Sequence, residues 1–261
     1  MLEANGVAIW SRLRSMFWTL GAQSLIVAAT GTLSPKSKSM AAKRSTRSKE
    51  ADNVVAIRGP HAERTAAMRK RLIDAAIECL GKIGYGATTL QEVTTTAGVS
   101  RGAILHHFPN KVDLMIAVAE YAAEKQNRHV AKLLADTAPG MDRFLAITMA
   151  TWDAMQRPPA IALLEIMMGS RSDPELGARF PAVIEALEKY QREGVWEQAQ
   201  SVGITDKAEI EAMTWLHNAA MRGLALELMF SKDTKKAGAA MKLLRRYKSW
   251  LTGQLVTKPF D

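Results

Sequence analysis

The sequence predicts an all-α protein: an N-terminal three-helix domain carrying a helix-turn-helix, followed by a C-terminal helical bundle. Three observations carry that prediction. From Arg64 onward apolar residues recur at helical spacing, with Leu72, Ile73, Ala76, Ile77, Leu80 and Ile83 on one stripe of a 3.6-residue period. The helical stretches are punctuated by Gly, Pro or Ser-Asp clusters at Pro139-Gly140, Pro158-Pro159, Ser172-Asp173-Pro174, Gly203 and Ser231 to Thr234. No stretch alternates convincingly as a strand, and neither an internal repeat nor a Gly-rich phosphate loop is present.

Residues 1 to 63 read as an appendage, either a disordered basic extension or a mis-assigned start. Arg12 and Arg14 precede a nearly uncharged apolar run from Ser15 to Leu33, and a polar basic stretch from Lys36 to Lys49 follows. The run is short for a bilayer span and has the shape of a secretory signal, with Ala28 and Ala29 as small residues for cleavage. The alternative, which agrees with the rest of the chain, is a true start at Met40 and a basic arm containing Lys43, Arg44, Arg47 and Lys49.

The first helix should end at Gly84 and Gly86. A second should begin near Thr88 or Thr89, because Thr88 with Gln91 and Thr89 with Glu92 both have capping-box spacing. Gly98 interrupts it, Ser100 caps a third helix reaching about His107, and Asn110 after Pro109 caps a fourth with Asp113 in its first turn. Two short helices separated by Ala97-Gly98-Val99 make a helix-turn-helix. Glycine permits the left-handed turn, and Val93, Val99 and Ile104 fill the angle between the helices. Such a motif lays its second helix in the major groove of DNA. Two long terminal helices, about Lys207 to Phe230 and Lys235 to Leu255, close the chain.

The run Ala97-Gly98-Val99-Ser100-Arg101-Gly102-Ala103 with His106-His107-Phe108 resembles the tetracycline-repressor (TetR) family, and the match extends from about Ala66 to Gln126. Two departures stand out: Thr94 where the family usually has a small alanine, and Leu105 where it usually has a tyrosine that binds phosphate. The resemblance implies a DNA-binding domain over 64–126 and a ligand-binding and dimerisation domain over 127–261. It implies a homodimer on double-stranded operator DNA of inverted-repeat sequence, released by a small apolar or amphipathic inducer, in the cytoplasm and with no membrane partner.

Charge and direction assign the contacts. Arg101 and His106 are the candidates for base edges, and Gly102 and Ala103 allow close approach. Thr89, Ser100 and Lys111 are candidates for phosphate, while Thr89 and Ser100 read equally as plain caps and Lys111 as a solvated charge. His107 falls on the packing side with Ile104 and Phe108. Met149, Trp152, Met168, Trp215 and His217 are the candidates for ligand, against the alternative that such side chains fill a core. Ala212, Ala219, Ala220 and Gly223 permit close helix approach for a dimer, with Met241, Leu244, Leu251 and Leu255 as the apolar face of the last helix.

Composition narrows the classes. One cysteine, Cys79, builds neither a disulfide nor a cysteine-rich zinc site, and no metal or other cofactor is expected. The net charge of +9 is confined to residues 1 to 112, with sixteen Lys/Arg against seven Asp/Glu, whereas the remainder carries nineteen of each. A polyanion-binding end joined to a neutral domain fits this distribution. Glu165, His217 and Cys79 are the nearest approach to catalytic groups and share no spacing, so catalysis is not expected. The competing readings are a transcriptional activator and a non-specific nucleic-acid binder that uses the basic N-terminal end.

Overall fold

The computed structural model describes residues 60–257; the expectations for the signal-like run, for Met40 and for the basic arm lie outside them. Among the described residues the chain forms nine helices and no strand. They are α1 (Pro60–Ala87), α2 (Leu90–Ala97), α3 (Arg101–His107), α4 (Lys111–Leu133), α5 (Met141–Met155), α6 (Pro158–Gly169), α7 (Pro174–Gln200), α8 (Lys207–Ser231) and α9 (Thr234–Thr257). The breaks read from sequence fall between these helices or at their ends, with Pro158 and Pro159 in the first turn of α6 and Pro174 in that of α7, where a missing N–H costs nothing.

Helix α1 is interrupted at Gly84, whose φ of 72° and ψ of 174° are not helical. Leu72, Ile73, Ala76, Ile77 and Leu80 form the expected buried stripe, but Ile83 is 46 % exposed. The helical period carries Ile83 to the right azimuth; however, the chain turns away one residue later, and the core packs on Tyr85 beyond the break instead.

The largest core joins α1–α4 to α6 and α7. Leu72, Ala76, Val93, Ile104, Phe108 and Leu114 lie in one cluster with Ala162, Ile166, Leu176 and Phe180. Burying the valine, leucine, isoleucine and phenylalanine side chains among them contributes about 1.5–3 kcal/mol each. Because that core runs from α1–α4 into α6 and α7, the N-terminal helices are seated on the later ones rather than hung from a linker. A second cluster packs Phe144, Ile204, Ile210, Met213 and Leu251, and a third packs Trp152, Met155, Met221, Ala225 and Met241. No helix among the described residues is long and apolar enough to cross a membrane.

Candidate nucleic-acid interface

The local chemistry of residues 84–113 builds a helix-turn-helix step by step. Thr88 is fully buried and its hydroxyl donates back to Gly84 O at 2.7 Å, so the cap of α2 falls to Thr89, whose Oγ1 accepts from Glu92 N at 3.1 Å. Gly98 ends α2 in the left-handed region, with φ 62° and ψ 45°. Its N–H donates to Thr95 O and that of Val99 to Thr94 O, satisfying carbonyls that the helix end would leave open. Ser100 Oγ accepts from Ala103 N at 3.3 Å to start α3, and Asn110 Oδ1 accepts from Asp113 N at 2.8 Å to start α4.

Helix α3 is anchored from below and open above. Ile104 and Phe108 are buried, the Arg69 guanidinium lies 4.5 Å from the centre of the Phe108 ring, and His107 is half-buried. Burial, then the neighbouring His106 and Arg69 charges, pull the His107 pKa below the ordinary histidine value. Arg101, Gly102, Leu105 and His106 are exposed on the outer face, and Ala103 is half-buried. Gly102 is not small because the fold demands it: the nearest atom a Cβ there would meet is Ser100 Oγ, at 3.9 Å. Thr94 is accommodated, its buried hydroxyl donating to Gln91 O at 2.7 Å, while Leu105 presents an apolar side chain where a phenol would donate.

Lys111 occupies a different environment from Arg101. Its ammonium donates to Tyr85 O at 2.7 Å and lies 4.0 Å from the centre of the Tyr85 ring, and burial pulls its pKa below the ordinary lysine value. Arg71, which the motif reading did not single out, reaches the turn: its guanidinium lies 3.3 Å from where a Cβ on Gly98 would stand. Arg69 and Arg71 belong to α1, about twenty residues before the motif begins, so only the packing of α1 on the motif brings them to it.

The five side chains taken from sequence as ligand candidates do not converge. Met149, Met168 and Trp215 are exposed, whereas Trp152 is packed with Met155 and Met221. His217 is buried, its Nδ1 bonded to Met213 O at 2.8 Å and its Nε2 without a partner. A cavity of about 20 Å³ does exist, lined by Gln126 of α4, Met155 of α5, Ala160, Leu163, Leu164 and Met167 of α6, Leu187 and Gln191 of α7 and Arg222 of α8. That volume holds about one water molecule, so a larger occupant requires the walls to part. Two of its polar groups are tied to neighbours: Gln191 Oε1 accepts from Asn218 at 3.1 Å and Arg222 pairs with Glu188 at 2.8 Å.

The outward face of α8 carries Ala212, Trp215, Leu216, Ala219, Gly223 and Phe230, and that of α9 carries Leu243 and Trp250. The face expected for α9 is thereby corrected. Met241 and Leu251 are buried inside the protomer, Leu244 and Leu255 are half-buried against its core, and the exposed apolar positions lie on the opposite side of the helix.

Comparison with known proteins gives the following. The family described as "Bacterial regulatory proteins, tetR family" matches residues 72–118. TtgW of Pseudomonas putida, named as an uncharacterised HTH-type transcriptional regulator, is 31 % identical over 125 residues, which is 47 % of this chain and 87 % of that protein. The HTH-type transcriptional regulator CymR of Pseudomonas putida is 27 % identical over 179 residues, 69 % of this chain and 88 % of that protein. In three dimensions, a transcriptional regulator of Rhodococcus sp. Rha1 superposes with a TM-score of 0.59 at 19 % identity, covering 73 % of this chain and 99 % of that one.

Proposed function

The chain belongs to the tetR family of bacterial regulatory proteins and is a DNA-binding transcriptional regulator, and on that premise we propose that it is a ligand-released repressor that binds an inverted-repeat operator as a homodimer. The observation that carries the reading is the split character of α3. One side is fixed by Ile104 and Phe108, and the other offers Arg101 and His106 beside a glycine whose smallness the fold does not need. Arg101 suits guanine, whose O6 and N7 accept two parallel hydrogen bonds, and Gly102 with Ala103 lets the backbone approach the groove floor. Thr89 and Ser100 contact flanking phosphates while capping their helices. Lys111 joins them only by exchanging Tyr85 for phosphate.

The dimer forms through the outward faces of α8 and α9. Trp215, Leu216, Phe230, Leu243 and Trp250 are too many large apolar side chains for a solvated surface, and Ala219 and Gly223 allow two α8 helices to approach closely. The inducer is small and apolar or amphipathic, and it enters by parting the methionine- and leucine-lined walls around the cavity. The protein works in the cytoplasm by binding rather than by catalysis. Selection of duplexes from a random pool tests the reading. We expect an inverted repeat whose half-site centres lie about 10–10.5 base pairs apart, or a multiple of that. Recovery of no common sequence would overturn it.

A further inference from the structure

Residue Tyr85 stands just beyond the break in α1 and is held from three other helices. Its N–H, released from helical bonding by the turn at Gly84, donates to Glu165 Oε2 of α6 at 3.1 Å, and its carbonyl accepts from Lys111 of α4 at 2.7 Å. Its hydroxyl donates to Asp173, the cap of α7, at 2.5 Å. Burial, then that bond, pushes the phenol pKa up, so the group remains a donor throughout the physiological range. The ring presses on Gly169 in the last turn of α6: a Cβ there would stand 2.3 Å from it, so the contact leaves no slack.

Two geometrical facts give this grip a consequence. The helix-turn-helix, from Thr89 to Phe108, lies between its two anchored ends: three residues separate Tyr85 from Thr89, and Lys111 follows Phe108 by way of Pro109 and Asn110. Helix α6 is two-faced. Ala160, Leu163, Leu164 and Met167 face the cavity, while Ala162, Glu165, Ile166 and Gly169 lie about half a turn away, among them the groups that meet α1. A single helix, α6, therefore separates the cavity from the residue that suspends the helix-turn-helix.

We propose that Tyr85, held by Glu165, Asp173 and Lys111, is the positioning residue through which displacement of α6 at the cavity resets the helix-turn-helix. This inference rests on the ligand-released reading and names the route by which release travels. An occupant larger than the cavity pushes α6 toward α1. Gly169 and Glu165 carry Tyr85 with them, and both ends of the helix-turn-helix follow.

A built-in occupant tests the route with the full-length protein and the selected operator duplex. Ala160→Leu fills the cavity from α6, and Leu187→Phe fills it from α7 should the first fail to fold. Either fill is made in the native sequence and in a Tyr85→Phe, Glu165→Ala background, which loses two of the grips. In the native sequence the fill lowers operator affinity about tenfold, the size of an ordinary allosteric coupling, and leaves random-duplex affinity and Tm nearly unchanged. In the loosened background the same fill changes operator affinity by less than about threefold. A merely structural Tyr85 would shift Tm and both affinities together, with no interaction between the fill and the background. Equal weakening in both backgrounds overturns the route while leaving release from the cavity standing. No weakening in either overturns both.

Discussion

Replacing Lys248 by methionine should make the protein more stable at neutral pH. Lys248 is 2 % exposed in α9, with its ammonium against Phe144 O and 4.2 Å from the centre of the Phe144 ring of α5. The titratable group that faces it from α8 is His217, an imidazole that supplies no negative charge to offset the ammonium. Burial pushes its pKa from 10.5 down to about 7. The unfolded chain keeps this proton up to the ordinary lysine value, whereas the folded chain releases it near neutrality. Between those two pH values the folded state binds fewer protons, so stability rises with pH, and below them the full penalty applies. The gap corresponds to about 4–5 kcal/mol, and losing the bond to Phe144 O takes back about 1–2 kcal/mol. Lys248→Met is therefore expected to gain about 3 kcal/mol at pH 7, a gain that shrinks steadily and is gone by about pH 10. Urea unfolding at fixed protomer concentration from pH 7 to 10 measures it, a range in which His217, whose pKa burial lowers, stays neutral. Parallel pH profiles for the two proteins, or a less stable variant at pH 7, would refute the reasoning.

Three further outcomes are expected. Arg101→Ala should cost about 1–3 kcal/mol on the operator and relax discrimination at one position per half-site; an equal loss on random duplex would assign its contact to phosphate. Lys111→Met should lower the urea midpoint by freeing the buried Tyr85 carbonyl, at a cost of about 1–3 kcal/mol, with the salt slope of DNA binding unchanged. Unaltered stability with a slope flatter by about one would give Lys111 a phosphate instead. Leu243→Glu with Trp250→Glu places two charges on the outward face of α9 and should turn a dimer into a folded monomer in sedimentation equilibrium; a dimer that persists would move the interface elsewhere.

What could be read from the sequence was what is local. Thr89, Ser100 and Asn110 each cap the helix their spacing announces, and Gly98 takes the left-handed turn, because these choices are made within four residues of chain. Helix α9 shows where such reading stops. It has apolar residues on two sides, Met241 and Leu251 inward and Leu243 and Trp250 outward, and periodicity cannot say which side meets the protomer's own core. Bulk and softness single out Met149 and Trp215 as readily as Met155 and Met167, yet only the latter pair lines the cavity, since a cavity is a gap left by five helices and belongs to no segment of any one. Tyr85 and Lys248 were invisible for the same reason: their partners are Glu165, Asp173 and Phe144, residues far away along the chain. Their types alone suggest a packed aromatic and a solvated charge.

Sequence reading by residues 89 to 108 is the property on which the proposed function stands. Titration of the full chain against a labelled duplex bearing the selected repeat, and against a scrambled duplex of equal composition at the same salt, tests it most directly. Two chains per repeat are expected, with an affinity at least about 10³-fold tighter than for the scrambled duplex. Equal affinities with the same salt slope on both duplexes would contradict it, and would make the protein a carrier of positive charge rather than a reader of bases.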